Sequence, residues 1–253
     1  MTALLILFCT ALAVLFAGLF EKRSLVQPLA LGGTLLALGS AICTMVCFKD
    51  PFIREIPMLS FGPTAVSFSI VVLVSMLLLI GLVNYAFRDL QKTLGDHLGL
   101  MLFSLCGALC LFSYTNLTML FLGIEILSIP LYVLAGSRRD SLGSNEAALK
   151  YFLMGAFATG ILLFGIALVY GATASFDIQA IAVSISENRH SAGMLHVGIL
   201  LILIGLSFKI SAVPFHFWAP DVYTGSPSLI TTYMATVVKT AGFAAFYRLF
   251  SMA

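Results

Sequence analysis

Eight long apolar runs, near residues 2–20, 25–48, 62–83, 98–115, 117–136, 147–170, 193–216 and 229–250, occupy almost all of this 253-residue sequence. A helix needs about 20 such residues to cross the hydrocarbon core of a bilayer, so each run is of spanning length. A backbone in lipid has no water to bond to and must satisfy its own amides. Continuous apolarity without a two-residue alternation excludes barrel strands. The fold class predicted is therefore all-α: a polytopic membrane helical bundle of about eight transmembrane helices. Only 9% of the residues are charged, against ~25% in soluble domains, which excludes a soluble enzyme. A net charge of +2 without a basic tract gives no footprint for nucleic acid.

The connections carry most of the positive charge. Lys22, Arg23, Arg88, Lys92, Arg138, Arg139 and Lys150 fall on one side, and Lys49, Arg54, Arg189 and Arg248 on the other. The larger group belongs inside, which places the N-terminus outside. Lys22 and Arg23 follow the first run instead of preceding it, so that run reads as a retained span and not a cleaved signal. Residues 175–188 have helically spaced apolar positions but are too short and polar to span; they either lie along the surface or form an ordinary loop. Cys9, Cys43, Cys47, Cys106 and Cys110 sit in apolar runs with no CxxC pair and read as small buried residues. His97 and His190 fall in connections, and His196 near an interface.

Three ionisable residues stand deep inside spans: Glu125 in FLGIEILSIPLY, Lys209 in LIGLSFKISAVPF and Lys239 in YMATVVKTAGF. Each costs roughly 2.5–3.5 kcal/mol at a helix centre, so each needs a host in the bundle interior or a hydrated cavity. One arrangement is a static Glu125–Lys209 ion pair that only fixes packing; the other is a functional ionisable site. Lys150 and Arg248 lie near predicted interfaces, where their side chains can snorkel to the headgroups. A proton relay is the chemistry that a glutamate and two lysines offer, because a carboxylate moving toward or away from Lys209 changes whether that lysine keeps its proton. Pro214 removes a backbone donor and disfavours helix at Val213, so the seventh helix is expected to break there. His216, seven residues after Lys209, lies on nearly the same face if helicity persists, as a second proton carrier or a structural partner of the broken backbone.

No redox centre is legible. GxGxxG after a strand, a Walker loop, a cysteine cluster and a haem ligand pair are all missing from the sequence, as is a plausible catalytic triad. No cofactor or metal is assigned to this chain, and any coupling to electron transfer has to come from partner subunits.

The run FKISAVPFHFWAPDVYTGSPSLITTYMATVVKTAGFAAFYRLF, 208–250, resembles the antiporter-like membrane subunits of NADH-quinone oxidoreductase (respiratory complex I), most closely their subunit N branch. Its PFHFWAPDVYTGSP segment, 214–227, carries most of the specificity. NLTMLFLGIEILSIPLYVLAG, 116–136, and NEAALKYFLMGAFATG, 145–160, extend the resemblance, which fades over the first three spans. It implies a non-redox subunit that moves protons while partner subunits use NADH and quinone, embedded with other membrane subunits in a bacterial inner membrane. Glu125, Lys209 and Lys239 fall on that family's proton-relay positions, and His216 on a histidine near its helix break. Members have about fourteen helices in two inverted five-helix repeats. Residues 1–97 then correspond to helices 1 to 3 and residues 98–253 to the first repeat, the second repeat being absent. The expectation is a partial chain that is not catalytic alone. A sodium/proton antiporter subunit and a structural module with static ion pairs remain as alternatives.

Overall fold

A computed structural model describes residues 1–20, 23–47, 58–86, 93–187 and 191–252. All eight apolar runs are helices long and apolar enough to cross a membrane. They are α1 (Thr2–Leu19), α2 (Arg23–Cys47), α3 (Pro63–Ala86), α4 (Leu94–Ser113), α5 (Leu117–Ala135), α6 (Leu142–Thr173) and α8 (Ala192–Ile210), followed by a composite eighth span. That last span consists of α10 (Ser228–Tyr233), a π-helical turn (Met234–Val238) and α11 (Lys239–Met252). Two short helices complete the chain: α7 (Ile178–Ser186) and α9 (Ala219–Gly225).

Side chains end the helices where the sequence turns polar. Asn116, Ser141 and Asp177 cap α5, α6 and α7 by accepting from the amides of Thr118, Ser144 and Ala180. Each cap satisfies one of the amides that a helix start leaves unpaired. Of the two readings of residues 175–188, the short helix is the one formed. Backbone bonds Leu117 N to Phe176 O and Ile178 N to Thr115 O tie it to the start of α5.

α4 forms the centre of the bundle, with 83% of its span buried against 22% for each of α1 and α2. Lipid tails are as apolar as leucine, so helices associate in a bilayer through close van der Waals fit, which small residues permit. Between α6 and α8 that fit is carried by Gly165 and Gly198. A Cβ on Gly165 would lie 2.8 Å from the Gly198 carbonyl oxygen, and one on Gly198 would lie 2.9 Å from that of Gly165.

Two sequence expectations are corrected here. Cys106 and Cys110 are buried, but Cys9 and Cys43 are exposed. The outward face of a membrane helix is as apolar as its inward face, so hydropathy does not separate the two. His97 is not in a connection: α4 begins at Leu94, and His97 is buried in its first turn with Nδ1 2.7 Å from the Thr93 carbonyl oxygen. His196 is exposed near the start of α8, whereas His190, Lys22, Lys49, Arg54, Arg88, Lys92 and Arg189 lie outside the described residues.

Arg248 does not snorkel. It is buried, and its guanidinium donates to the Tyr114 carbonyl, to Ser60 O at 3.1 Å and to Ser113 O at 3.2 Å, with the Tyr114 ring 5.9 Å away. The negative end of the α4 dipole is thus met by a fixed cation, which shares the Ser113 carbonyl with the Ser60 amide. Arg248→Ala is expected to cost about 3 kcal/mol or more, because buried carbonyls lose a charged donor. The check is the thermal midpoint of the detergent-solubilised assembly, which should fall, while Arg248→Lys should recover only part of the loss.

Candidate proton-relay site

Lys209 sits at the last turn of α8 and is 4% exposed. Its ammonium donates to Ser128 Oγ at 2.6 Å and to the Tyr151 hydroxyl at 3.4 Å. Ser128 stands eleven residues after Leu117, at the start of α5, and Lys239 eleven after Ser228, at the start of α10. At 1.5 Å per residue each is roughly 17 Å from its helix start, near the middle of a bilayer core of about 30 Å. Neither amine reaches a headgroup from there, so both have to be hosted by protein.

The host is built by the way α8 ends. Ser211 adopts a left-handed conformation at φ 58°, and the amides of Ser211 and Ala212 turn back to Phe208 O and Ser207 O at 3.1 and 2.9 Å. Such a cap satisfies some terminal carbonyls and leaves others open at the negative end of the helix dipole. Lys239 takes this position, donating to Ser211 Oγ and, at 3.4 Å, to the carbonyl oxygen of Lys209 itself. The π turn immediately before Lys239 inserts one residue into the helical register. The face that follows is thereby rotated by about 100°, which brings Lys239 onto the end of α8.

Aromatic rings pack against both amines. Trp218, 2% exposed, stacks on Tyr151 with centroids 4.9 Å apart and on Phe208 at 5.2 Å, and its indole N–H donates to Phe208 O at 3.2 Å. The Lys239 ammonium lies 5.0 Å from the Trp218 ring and 5.7 Å from that of Tyr223, a cation–π arrangement. Tyr132 meets Tyr151 edge-on at 4.9 Å.

Glu125 is partly exposed and lies one helical turn before Ser128 on α5. Its charge acts on Lys209, yet among the described residues no Glu125–Lys209 ion pair forms within 4.0 Å. The lysine is docked on a hydroxyl instead. Lys209 and Lys239 are therefore brought together with Ser128 and Ser211, with Glu125 one turn from the contact.

The break differs from the expectation in position and in cause. It falls at Ile210, before Pro214, because Ser211 has already left helical geometry. Pro214 and Val213 continue as turns, and the restriction a proline imposes on its predecessor keeps the helix from resuming. Helicity does not persist to His216, so its spacing from Lys209 no longer sets its face. His216 is exposed on the turn, and only its backbone carbonyl is engaged, by Ala219 N at 2.9 Å. The geometry does not bring its side chain to the two lysines.

Lys150 pairs with Glu146 at 2.6 Å and with Asp221 at 2.5 Å, linking α6 to the α9 segment that follows Trp218. Ser128, Tyr151, Ser211 and Trp218 are site residues that the sequence reading did not select. Two had signals. Ser128 is three residues after Glu125 and so shares its helix face, and Trp218 is the single tryptophan of the chain, within PFHFWAPDVYTGSP. Among the described residues no three His, Cys, Asp or Glu side chains gather in a way that could hold a metal ion.

Residues 114–253, which hold Glu125, Lys209 and Lys239, match the family model described as NADH:quinone oxidoreductase/Mrp antiporter, TM. One relative is the NADH-quinone oxidoreductase subunit N of Cytophaga hutchinsonii, 42% identical over 247 residues that cover 98% of this chain and 52% of the relative. A chain in the structure of respiratory complex I from Thermus thermophilus with bound aureothin superposes with a TM-score of 0.79 and 35% identity, covering 97% of this chain and 52% of that one. A chain of the membrane-bound sulfane sulfur reductase, an archaeal respiratory membrane complex, superposes with a TM-score of 0.81 and 25% identity over 98% of this chain and 52% of its own. The chain spans about half the length of the relatives it matches.

Proposed function

The chain belongs to the NADH:quinone oxidoreductase/Mrp antiporter membrane family, and we propose that it is the part of a subunit N of NADH-quinone oxidoreductase that carries one half of a proton path. On this reading it is a non-redox component of a bacterial inner-membrane complex. Partner subunits oxidise NADH and reduce quinone, and neighbouring membrane subunits or chain segments continue the path. The observation that carries the reading is the junction at the end of α8, where Lys239 donates to Ser211 and to the Lys209 carbonyl in the middle of the bundle. Lys239 is thereby docked on the backbone of Lys209, whose own ammonium is held by Ser128 and Tyr151, and protons pass between the two amines through intervening water. Lys209 and Lys239 are the carriers, Glu125 is the carboxylate that biases them, and His216 stays outside the relay.

The test is Lys239→Met in the assembled complex reconstituted in liposomes. Proton uptake per NADH oxidised is expected to fall while the redox centres remain present. An unchanged ratio removes Lys239 from the relay.

A sodium/proton antiporter subunit is the second reading, because the matching family description covers both kinds of protein. The subunit N relative at 42% identity favours the first. Vesicles separate them: activity that needs NADH and quinone supports the first reading, and activity that follows an imposed sodium gradient without them supports the second.

A further inference from the structure

Resting on the relay reading, we propose that Ser128 is a positioning residue: it holds the Lys209 ammonium one helical turn away from Glu125, so that Lys209 has two alternative docking points on α5. The first argument is hydrogen-bond direction. Ser128 Oγ donates its own proton back to the Ile124 carbonyl, four residues earlier, and is fully buried. Its lone pairs are then left facing Lys209, so the hydroxyl is an acceptor for the ammonium at 2.6 Å.

The second argument is reach. Ser128 and Glu125 are three residues apart on one helix face, which puts their Cβ atoms about 5–6 Å apart. A four-carbon lysine stem covers that distance by changing rotamers without moving the backbone. The third is the set of groups around the amine. The ammonium is hydrogen-bonded to Ser128 of α5 and Tyr151 of α6, the charges that act on it are Glu125 of α5 and Lys239 of α11, and Tyr132 and Trp218 pack on the Tyr151 ring. Glu125 is the single anion in this set. If Ser128 stops accepting, the carboxylate is the remaining strong acceptor for a buried ammonium. Loss of a hydrogen bond to a charged donor shifts a two-position balance on the order of tenfold.

The experiment compares structures of the assembled complex by cryo-electron microscopy with proton uptake per NADH oxidised, for Ser128→Ala, Ser128→Thr and Glu125→Gln. In Ser128→Ala, Lys209 Nζ is expected within ion-pair distance of the Glu125 carboxylate, with proton uptake lowered. In Ser128→Thr the retained hydroxyl keeps Lys209 in place and uptake near the original ratio. Glu125→Gln leaves Ser128 packing untouched, and in it Lys209 should remain on the Ser128 hydroxyl. Lys209 staying off Glu125 in Ser128→Ala, or leaving Ser128 in Glu125→Gln, overturns the proposal. Should Ser128→Ala fail to assemble, the Glu125→Gln structure decides alone. The position of Lys209 is read whether or not the complex pumps, so a failure of the relay reading, seen as normal uptake in Lys239→Met, is separate from a failure of Ser128 to hold the amine.

Discussion

Lys209→Arg is expected to abolish proton translocation through this path although it keeps the charge, and Lys209→Met is expected to do the same. The argument turns on what the position has to do. Lys209 is buried at mid-bundle, docked on Ser128 and adjacent to Tyr151. A static staple needs only a cation there, and arginine supplies one with more donors. A relay needs a group that gives its proton up and takes one back. A guanidinium holds its proton far above the physiological pH range and is in effect never neutral at pH 7, which stops turnover at that site. Arginine is also larger and forked, so Lys209→Met controls for crowding: it has similar length and no charge. Proton uptake per NADH oxidised, measured alongside the content of redox centres, separates loss of transfer from loss of assembly. Normal uptake in Lys209→Arg would mean that Lys209 is not a titrating carrier and that its part in the fold is to anchor α8 against α5.

The spans were legible because each is long and continuously apolar, and bilayer thickness leaves one secondary structure for such runs. Errors concentrate where a helix end depends on backbone geometry instead of hydropathy. Pro214 signalled a break in the seventh helix, but the left-handed turn is made by Ser211, a residue type with no strong preference for that conformation. The π turn at Met234–Val238 carries no local signature in MATVV, yet it sets which way Lys239 faces. Charge cost picked out Glu125, Lys209 and Lys239. It did not indicate that the amine docks on a serine in preference to the carboxylate, since that choice is made by the packing of three helices. Arg248 was misplaced for a related reason: position near the end of an apolar run says how far a side chain is from the headgroups, not which carbonyl another helix offers it first.

Gly107→Leu is expected to break the site without touching any of its side chains. Gly107 is on α4, and a Cβ built on it would lie 2.3 Å from Leu127 N and 2.8 Å from Ile126 C, both backbone atoms of α5. Backbone does not yield as a flexible side-chain tip does, so α5 has to move away or the helices fail to pack. Beside this contact, Ser104 Oγ donates to Leu127 O at 2.7 Å, and Ser128, the acceptor of Lys209, is the next residue along α5. An outward shift of α5 large enough to admit a leucine therefore breaks both bonds. Overpacking of this kind costs about 3 kcal/mol, in a bilayer where no hydrophobic term between helices offsets the lost fit. Gly160, on α6, has nothing within 4 Å of a Cβ built on it and is exposed, so Gly160→Leu is the matched control. The amount of chain retained in the assembled membrane complex should drop sharply for Gly107→Leu and stay level for Gly160→Leu. Equal retention of the two variants would mean that α4 and α5 are not held at backbone contact, and the Lys209–Ser128 distance that depends on that contact would lose its support.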